Sequence, residues 1–217
     1  MTKAPTPQRG PDRQAALAQY RRRAGVYDLE LALFEPIRRQ AVARLGLKRG
    51  DVVLDVGCGT GLSLGLLRQG IGAKGRIIGI EQSPEMLERA RQRVAQNGWD
   101  RTTLLCSPVE TARIPRIADA ALFHFTHDIL QRPEAVANVM RHLKPGARVV
   151  ACGLQWAPAW AMPANLVVLA AALRSVTSLE GLRKPWSAMA GYLGALEVET
   201  SWGGGVYQAS GQVKAGD

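Results

Sequence analysis

The sequence predicts an α/β domain built around a mostly parallel sheet, and three observations carry the prediction. From Val52 to Cys152, short apolar runs alternate with stretches of helical period, the pattern of strands joined by crossover helices. The first run, VVLDV, passes straight into the loop Gly57-Cys58-Gly59-Thr60-Gly61 and then a helix. At the other end, the runs Leu196 to Trp202 and Val206 to Val213 are separated only by Gly203-Gly204-Gly205. A parallel pair needs a crossover of a dozen residues or more, so these two must form an antiparallel hairpin.

The elements follow in order. Residues 1 to 11, rich in Pro, Thr and Gly, read as a disordered lead. From Asp12 the spacing Leu17, Tyr20, Ala24, Tyr27 makes one face of an amphipathic helix, with Arg21, Arg22 and Arg23 largely off it. A second helical stretch carries Leu33, Phe34, Ile37, Ala41 and Leu45 inward, with Pro36 as a kink or restart and Gly46 and Gly50 as breakers. The expected strands are Val52 to Val56, Arg76 to Ile80, Thr102 to Cys106, Ala118 to Phe123 and Ala147 to Cys152. The helices between them are Gly61 to Arg68, Pro84 to Gln96 and Pro133 to His142. Most of these strands are apolar on both faces, as strands between two helix layers must be. After Cys152 comes an aromatic and proline-rich loop, WAPAWAMPAN, then helices over Leu166 to Arg174 and Trp186 to Leu193. Residues 12 to 217 are expected to form one domain, with 12 to 46 as an N-terminal helical lid and 154 to 194 as a helical insert.

Length and composition limit the function classes. The chain has 217 residues, 47% of them hydrophobic and 21% charged, ordinary values for a globular protein. Its longest apolar stretch, Leu166 to Leu173, is far short of the roughly 18 to 20 residues that cross a bilayer. The formal charge is +10, and residues 1 to 50 hold eleven basic against four acidic side chains. Such a surplus suits anionic lipid, nucleic acid or an acidic ligand, or simply a solvated face. Cys58, Cys106 and Cys152 lack the spacing of a zinc site or a disulfide framework, and the N-terminus has no apolar signal core. Both features point to the cytoplasm and to no metal, with the cysteines as small buried residues.

The glycine loop is the strongest chemical signal. A strand that runs into three closely spaced glycines and then a helix lets a ligand lie against bare backbone and meet free N–H groups. Asp55 stands just inside the strand, and Glu81 ends the next strand about twenty residues on, where a carboxylate can take both hydroxyls of a ribose. The dinucleotide spacing G-x-G-x-x-G is not met, because the third glycine comes one residue early. The features together mark a nucleoside-containing cofactor at the carboxyl edge of the sheet.

At these residues the chain resembles the class I S-adenosylmethionine-dependent methyltransferases. The resemblance rests on VLDVGCGTGLS at 53 to 63, GIEQSPEML at 79 to 87, CSPVE at 106 to 110, ADAALFHF at 118 to 125 and HLKPGARVVACG at 142 to 153. It implies a Rossmann-like seven-stranded sheet of order 3-2-1-4-5-7-6 with strand 7 antiparallel, and S-adenosyl-L-methionine as cofactor. The loop of Gly57, Cys58, Gly59 and Gly61 would pack against the methionine part, Glu81 would hold the ribose, and Gln82 and Met86 would flank the adenine. Ser107, Pro108 and Val109 would close over the base; many relatives carry Asp where this chain has Ser107. The helix around Tyr20 and Tyr27 is similar to the N-terminal lid of the ubiquinone-biosynthesis and phospholipid N-methyltransferase branches, which implies that Tyr27 covers the cofactor.

Methyl transfer from a sulfonium is an in-line displacement, so the protein mainly places the nucleophile and excludes water. A base is needed only for a protonated acceptor. The loop F-H-F-T-H-D after the fourth strand offers His127 as that base, oriented by Asp128. The competing reading makes Thr126 or Asp128 a helix cap and His127 a satisfied polar side chain. His124 is expected to border the cofactor's carboxylate, His142 to lie on the surface, and Phe123 or Phe125 to face the sulfonium or pack in the core. Trp156, Trp160, Met162, Leu166, Val167, Leu169, Trp186 and Tyr192 gather apolar surface on the acceptor side, or complete the core of a helical cap. The leading reading is a methyltransferase acting on a small, fairly hydrophobic acceptor. The alternatives are a phospholipid headgroup N-methyltransferase touching the membrane through the basic N-terminal helix, and a nucleic-acid methyltransferase or binder. The last is disfavoured by the missing Asn/Asp-Pro-Pro-aromatic motif and the absence of an appended nucleic-acid module.

Overall fold

The computed structural model describes residues 31–175, 179 and 181–215. The expected lead, the helix of Leu17, Tyr20, Ala24 and Tyr27, and Arg21 to Arg23 lie outside the described residues.

Seven strands, β1 (Val52–Val56), β2 (Arg76–Glu81), β3 (Thr102–Cys106), β4 (Ala118–His124), β5 (Leu143–Leu154), β6 (Leu193–Ser201) and β7 (Val206–Val213), form one sheet. Their order is β3-β2-β1-β4-β5-β7-β6. β7 runs antiparallel to both neighbours, and the other pairings are parallel. Around them lie α1 (Glu35–Arg44), α2 (Leu64–Ile71), α3 (Pro84–Gln96), α4 (His127–Leu130), α5 (Pro133–Met140), α6 (Met162–Ser175) and α7 (Ser187–Ala190).

Alternation along the strands divides the core between the two sheet faces. One face brings Leu54, Val56, Ile78, Ile80, Phe123 and Val149 against Val136 and Val139 of α5. The other brings Val53, Ile77, Leu122 and Val150 against Ile37 and Ala41 of α1 and Leu64 and Leu67 of α2. Helix starts follow local chemistry. At α3, Ser83 takes an extended conformation, its hydroxyl accepts from the Met86 N–H, and Pro84 fills the first turn, where no N–H bond is lost.

Several boundaries differ from expectation. The helix after the glycine loop begins at Leu64, because Gly61 to Ser63 are needed for the turn that closes the loop. β5 starts at Leu143, four residues early, where a register shift at Ala118/Ala120 admits it beside β4. β6 starts at Leu193 and cuts the preceding helix back to Ser187–Ala190, while Trp202 leaves the strand for a short 3-10 turn, Trp202–Gly204. Cys106 is exposed, against the expectation of burial, since it ends an edge strand; Cys58 and Cys152 are buried.

Candidate functional site

The site assembles at the carboxyl ends of β1, β2 and β4. Val56 pairs with Ile80 on one side and Phe123 on the other, so the three chain exits open side by side. The N–H groups of Gly57 and Cys58 both donate to the carbonyl of Ile80, at 2.8 and 3.0 Å. Gly57 has φ +68°, and a Cβ there would stand 2.6 Å from Thr126 Cγ2 and 2.8 Å from Ile129 Cδ1. The segment that carries His127 is therefore packed directly on the glycine loop, and no residue with a side chain fits at 57. Cys58 Sγ sits where Gly79 would carry a Cβ, at 2.9 Å, which gives this thiol a packing role.

Glu81 ties the exits together. One carboxylate oxygen accepts from the Gly59 N–H at 3.2 Å and the other from the Ser83 N–H at 2.7 Å. Burial raises its pKa, and the bonds from Ser83 and Gly59 partly oppose that. The Gln82 N–H also donates to it, and a carboxylate with about four acceptor sites keeps capacity for a ribose hydroxyl.

Beside it is a narrow polar cleft bounded by Arg38, Asp55, Gly57, Gly59, Ser63 and His124. Asp55 is 1% exposed, and burial pushes its pKa up to about 7; Arg38 pulls it down and Glu81 pushes it up. His124 ends β4, and desolvation with the nearby Arg38 cation pushes its pKa down to about 3, so the ring is neutral. Arg38 is 2% exposed and paired with Glu35. Its Nε and Nη2, together with Asp55 Oδ2 and His124 Nε2, are buried without a hydrogen-bond partner among the described residues. Unpaired buried polar groups are costly. A cation with free donors and an acid with a free acceptor, lining one cleft, suit a ligand that carries both a carboxylate and an ammonium. These residues therefore fit the methionine part of S-adenosylmethionine. Sequence reasoning missed Arg38, although a signal was present: it stands four residues after Phe34 and three before Ala41, on the apolar stripe of its own helix.

On the other side of Glu81, the Ser107 N–H donates to the Glu81 carbonyl at 3.1 Å, and Pro108 leads into a turn over Val109–Thr111. Val109 is buried, Met86 is 1% exposed, and Gln82 is half-buried beside the loop. Asn138 of α5 donates to the carbonyls of Val109 and Ala112, at 2.7 and 3.0 Å, and so holds this turn in place.

After His124 the chain enters a left-handed conformation at Phe125, φ +56°. Phe123 is fully buried and belongs to the core, whereas Phe125 is partly buried against the other core cluster and its ring lies 4.9 Å from that of His124. His127 opens α4 and is buried; Asp128 follows in the same turn, half-buried. Thr126 occupies the N-cap position without a side-chain capping bond. His142 lies at the far end of β5, its Nδ1 2.8 Å from the Asn138 carbonyl oxygen. Tyr27 lies outside the described residues. The insert side chains divide. Trp186 packs on Tyr207 at 4.9 Å, Trp156 is partly buried, and Trp160, Met162, Leu166 and Tyr192 are exposed.

The family model described as "Methyltransferase domain" matches residues 53–146, the stretch that contains the loop, Glu81, the Ser107 turn and His127. This stretch is a methyltransferase domain. The sheet order and the matched motifs make the fold that of class I S-adenosylmethionine-dependent methyltransferases. Over 131 residues the chain is 30% identical to the aklanonic acid methyltransferase DauC of Streptomyces sp. (strain C5), covering 58% of this chain and 59% of that protein. It is 29% identical over 145 residues to the ubiquinone/menaquinone biosynthesis C-methyltransferase UbiE of Methylococcus capsulatus, covering 58% and 54%. The chain thus spans little more than half the length of these two relatives. Among solved structures, the N-methyltransferase NodS of Bradyrhizobium japonicum WM9 in complex with S-adenosyl-L-homocysteine superposes with a TM-score of 0.67 at 16% identity, covering 92% of this chain and 98% of that one. That likeness shows the shared fold around the methyltransferase domain.

Proposed function

We propose that this protein transfers a methyl group from S-adenosylmethionine to a small, fairly hydrophobic acceptor. The observation that carries the reading is a polar cleft, complementary to a zwitterion, that adjoins apolar surface across the ring of Phe125. When bound, the cofactor supplies an electrophilic methyl group on a sulfonium. Arg38 binds the carboxylate, Asp55 and the neutral His124 receive the ammonium, and Glu81 accepts from the ribose hydroxyls. Gln82, Met86 and the turn of Ser107, Pro108 and Val109 border the adenine. Phe125 offers a ring to the cationic centre and keeps water from it. Where the acceptor begins protonated, His127 takes the proton, with Asp128 orienting it.

Calorimetry with S-adenosylhomocysteine tests the first half. The parent should bind it, and Glu81→Ala should weaken binding by about 1.5 to 3 kcal/mol, the value of a lost hydrogen bond to a charged group. Equal affinity of parent and variant, or a preference for NAD, defeats the reading. Transfer of labelled methyl to a panel of phenols, amines and thiols tests the second half.

One observation favours the membrane-surface alternative. Trp160, Met162 and Leu166 are 82%, 62% and 64% exposed and lie together before and along the first turns of α6. Such a ridge could rest on a bilayer that holds a lipophilic acceptor. Co-flotation with vesicles that is lost in the Trp160→Ser, Met162→Ser double variant would support it. By contrast, Arg38 and Arg39 pair with Glu35, and Arg44 pairs with Glu199, which reduces the free positive charge available to nucleic acid.

A further inference from the structure

A second compartment lies beside the polar cleft. It is a cavity of about 250 Å³ whose walls include Phe34, Leu154, Pro163, Val168, Trp202 and Val206, all apolar. A chain of rings connects the two compartments. His124 borders the cleft, Phe125 lies 4.9 Å from it, Phe34 lies 4.7 Å from Phe125, and Trp202 stacks on Phe34 at 5.1 Å with an interplanar angle of 22°. Among the described residues, Phe125 and Trp202 are the two non-glycine residues with positive φ, +56° and +54°. For bulky side chains this conformation is strained, and strain of this kind persists where the surrounding structure holds it for a purpose. Both strained residues therefore flank Phe34 and hold one aromatic wall. The hairpin is also shaped to the cavity: a Cβ on Gly205 would stand 2.8 Å from Val168 Cγ2, so glycine lets the turn close against α6.

We propose that this cavity is the acceptor subsite and takes a planar, uncharged body of about two fused rings, with Phe34 and Trp202 as specificity-determining residues. The proposal rests on the methyl-transfer reading and names where its acceptor sits. Size supports it, since an apolar cavity of about 150 Å³ already holds benzene. Chemistry supports it too, because the lining offers no group to satisfy a buried charge or amide. Shape decides between a ring system and a chain. The β-branched Val168 and Val206 are stiff at χ1, and Phe34 and Trp202 are stacked on each other, so these walls do not re-form around a flexible ligand. A ring system in the cavity meets Phe34, beside the rings of Phe125 and His124 that lead to the cleft.

The test uses 2-naphthol and 1-decanol, a ring system and a flexible chain of the same carbon count, titrated into the full chain by calorimetry alongside S-adenosylhomocysteine. The parent should bind 2-naphthol about tenfold or more tighter than 1-decanol. Ala164→Phe, which fills the cavity from α6, and Trp202→Ala, which removes a wall, should each weaken 2-naphthol by about tenfold or more. Ala164→Phe should keep the parent's affinity for S-adenosylhomocysteine, which also shows that it folds. Equal binding of the two alcohols, or 2-naphthol binding that survives Ala164→Phe in protein that still binds S-adenosylhomocysteine, overturns the proposal. If the parent binds 2-naphthol tightly but not S-adenosylhomocysteine, the methyl-transfer reading fails on its own and the cavity remains a site for apolar rings.

Discussion

A guanidinium buried to 2% exposure, with Glu35 as its ion-pair partner and two nitrogens lacking acceptors among the described residues, is an uncomfortable group in a protein without ligand. Arg38→Met keeps the length of the stem and removes the unpaired donors, and Asp55 can take a proton when its neighbouring cation is gone. We therefore expect the free variant to melt no lower than the parent, while its affinity for S-adenosylhomocysteine falls by about tenfold or more. A fall in melting temperature without loss of affinity would make Arg38 a purely structural residue. His127 calls for a different measurement. It is buried in the segment packed on Gly57, and the proposed reading makes it the group that takes the acceptor's proton. His127→Ala should lower turnover of a protonated acceptor by roughly 10² to 10⁴ and leave cofactor affinity near the parent value. Turnover at the parent rate would mean that the enzyme works by placement alone.

At the scale of elements, the turn after β3 depends on one side chain from another helix. Asn138 donates to two buried carbonyls and accepts from Arg141. Asn138→Ala strips both carbonyls of their partner, at about 1 to 3 kcal/mol for each buried group left unpaired. Thermal unfolding should show the loss, and affinity for adenosine should drop with it, because the turn of Ser107 to Val109 is no longer held. The strands β1, β3 and β7 were legible to the residue, β1 because its apolar run stops at the Gly57 loop, β3 because TTLLC stands between the polar Asp100-Arg101 and Ser107-Pro108, and β7 because the three glycines 203 to 205 mark its start. The start of β5 was not, because Lys144-Pro145-Gly146 reads as a breaker and only the register shift beside Ala118 admits it to the sheet. Likewise the glycine loop and Glu81 could be read from spacing alone. The Phe34–Phe125–Trp202 wall could not, because its three residues are distant in sequence and are brought together by the sheet order.

For the whole molecule, the site's unusual ionisations become a dependence of stability on pH. Asp55 has its pKa raised to about 7 by burial, against an ordinary value of 3.8. Between those values the unfolded chain has lost this proton and the folded chain still holds it, so stability falls as pH rises and levels off above about 7. Glu81, also raised by burial, acts in the same direction. His124 acts in the opposite one. Its pKa is lowered to about 3 from 6.5, the unfolded chain holds the extra proton between these values, and stability rises with pH across them. The opposing slopes overlap below about 6.5, so the parent's melting curve alone hides them, and Asp55→Asn exposes the difference. The variant should gain on the parent as pH climbs from about 5 to about 7. A ligand ammonium beside Asp55 favours the ionised acid, which couples binding to release of the same proton. The affinity of the parent for S-adenosylhomocysteine should therefore increase as pH passes through about 7, and the increase should vanish in Asp55→Asn. Calorimetry in buffers of different ionisation heat would detect the released proton directly. An affinity that does not change with pH over this range would place Asp55 away from the ammonium, and the zwitterion would then have to be held by Arg38 and backbone groups.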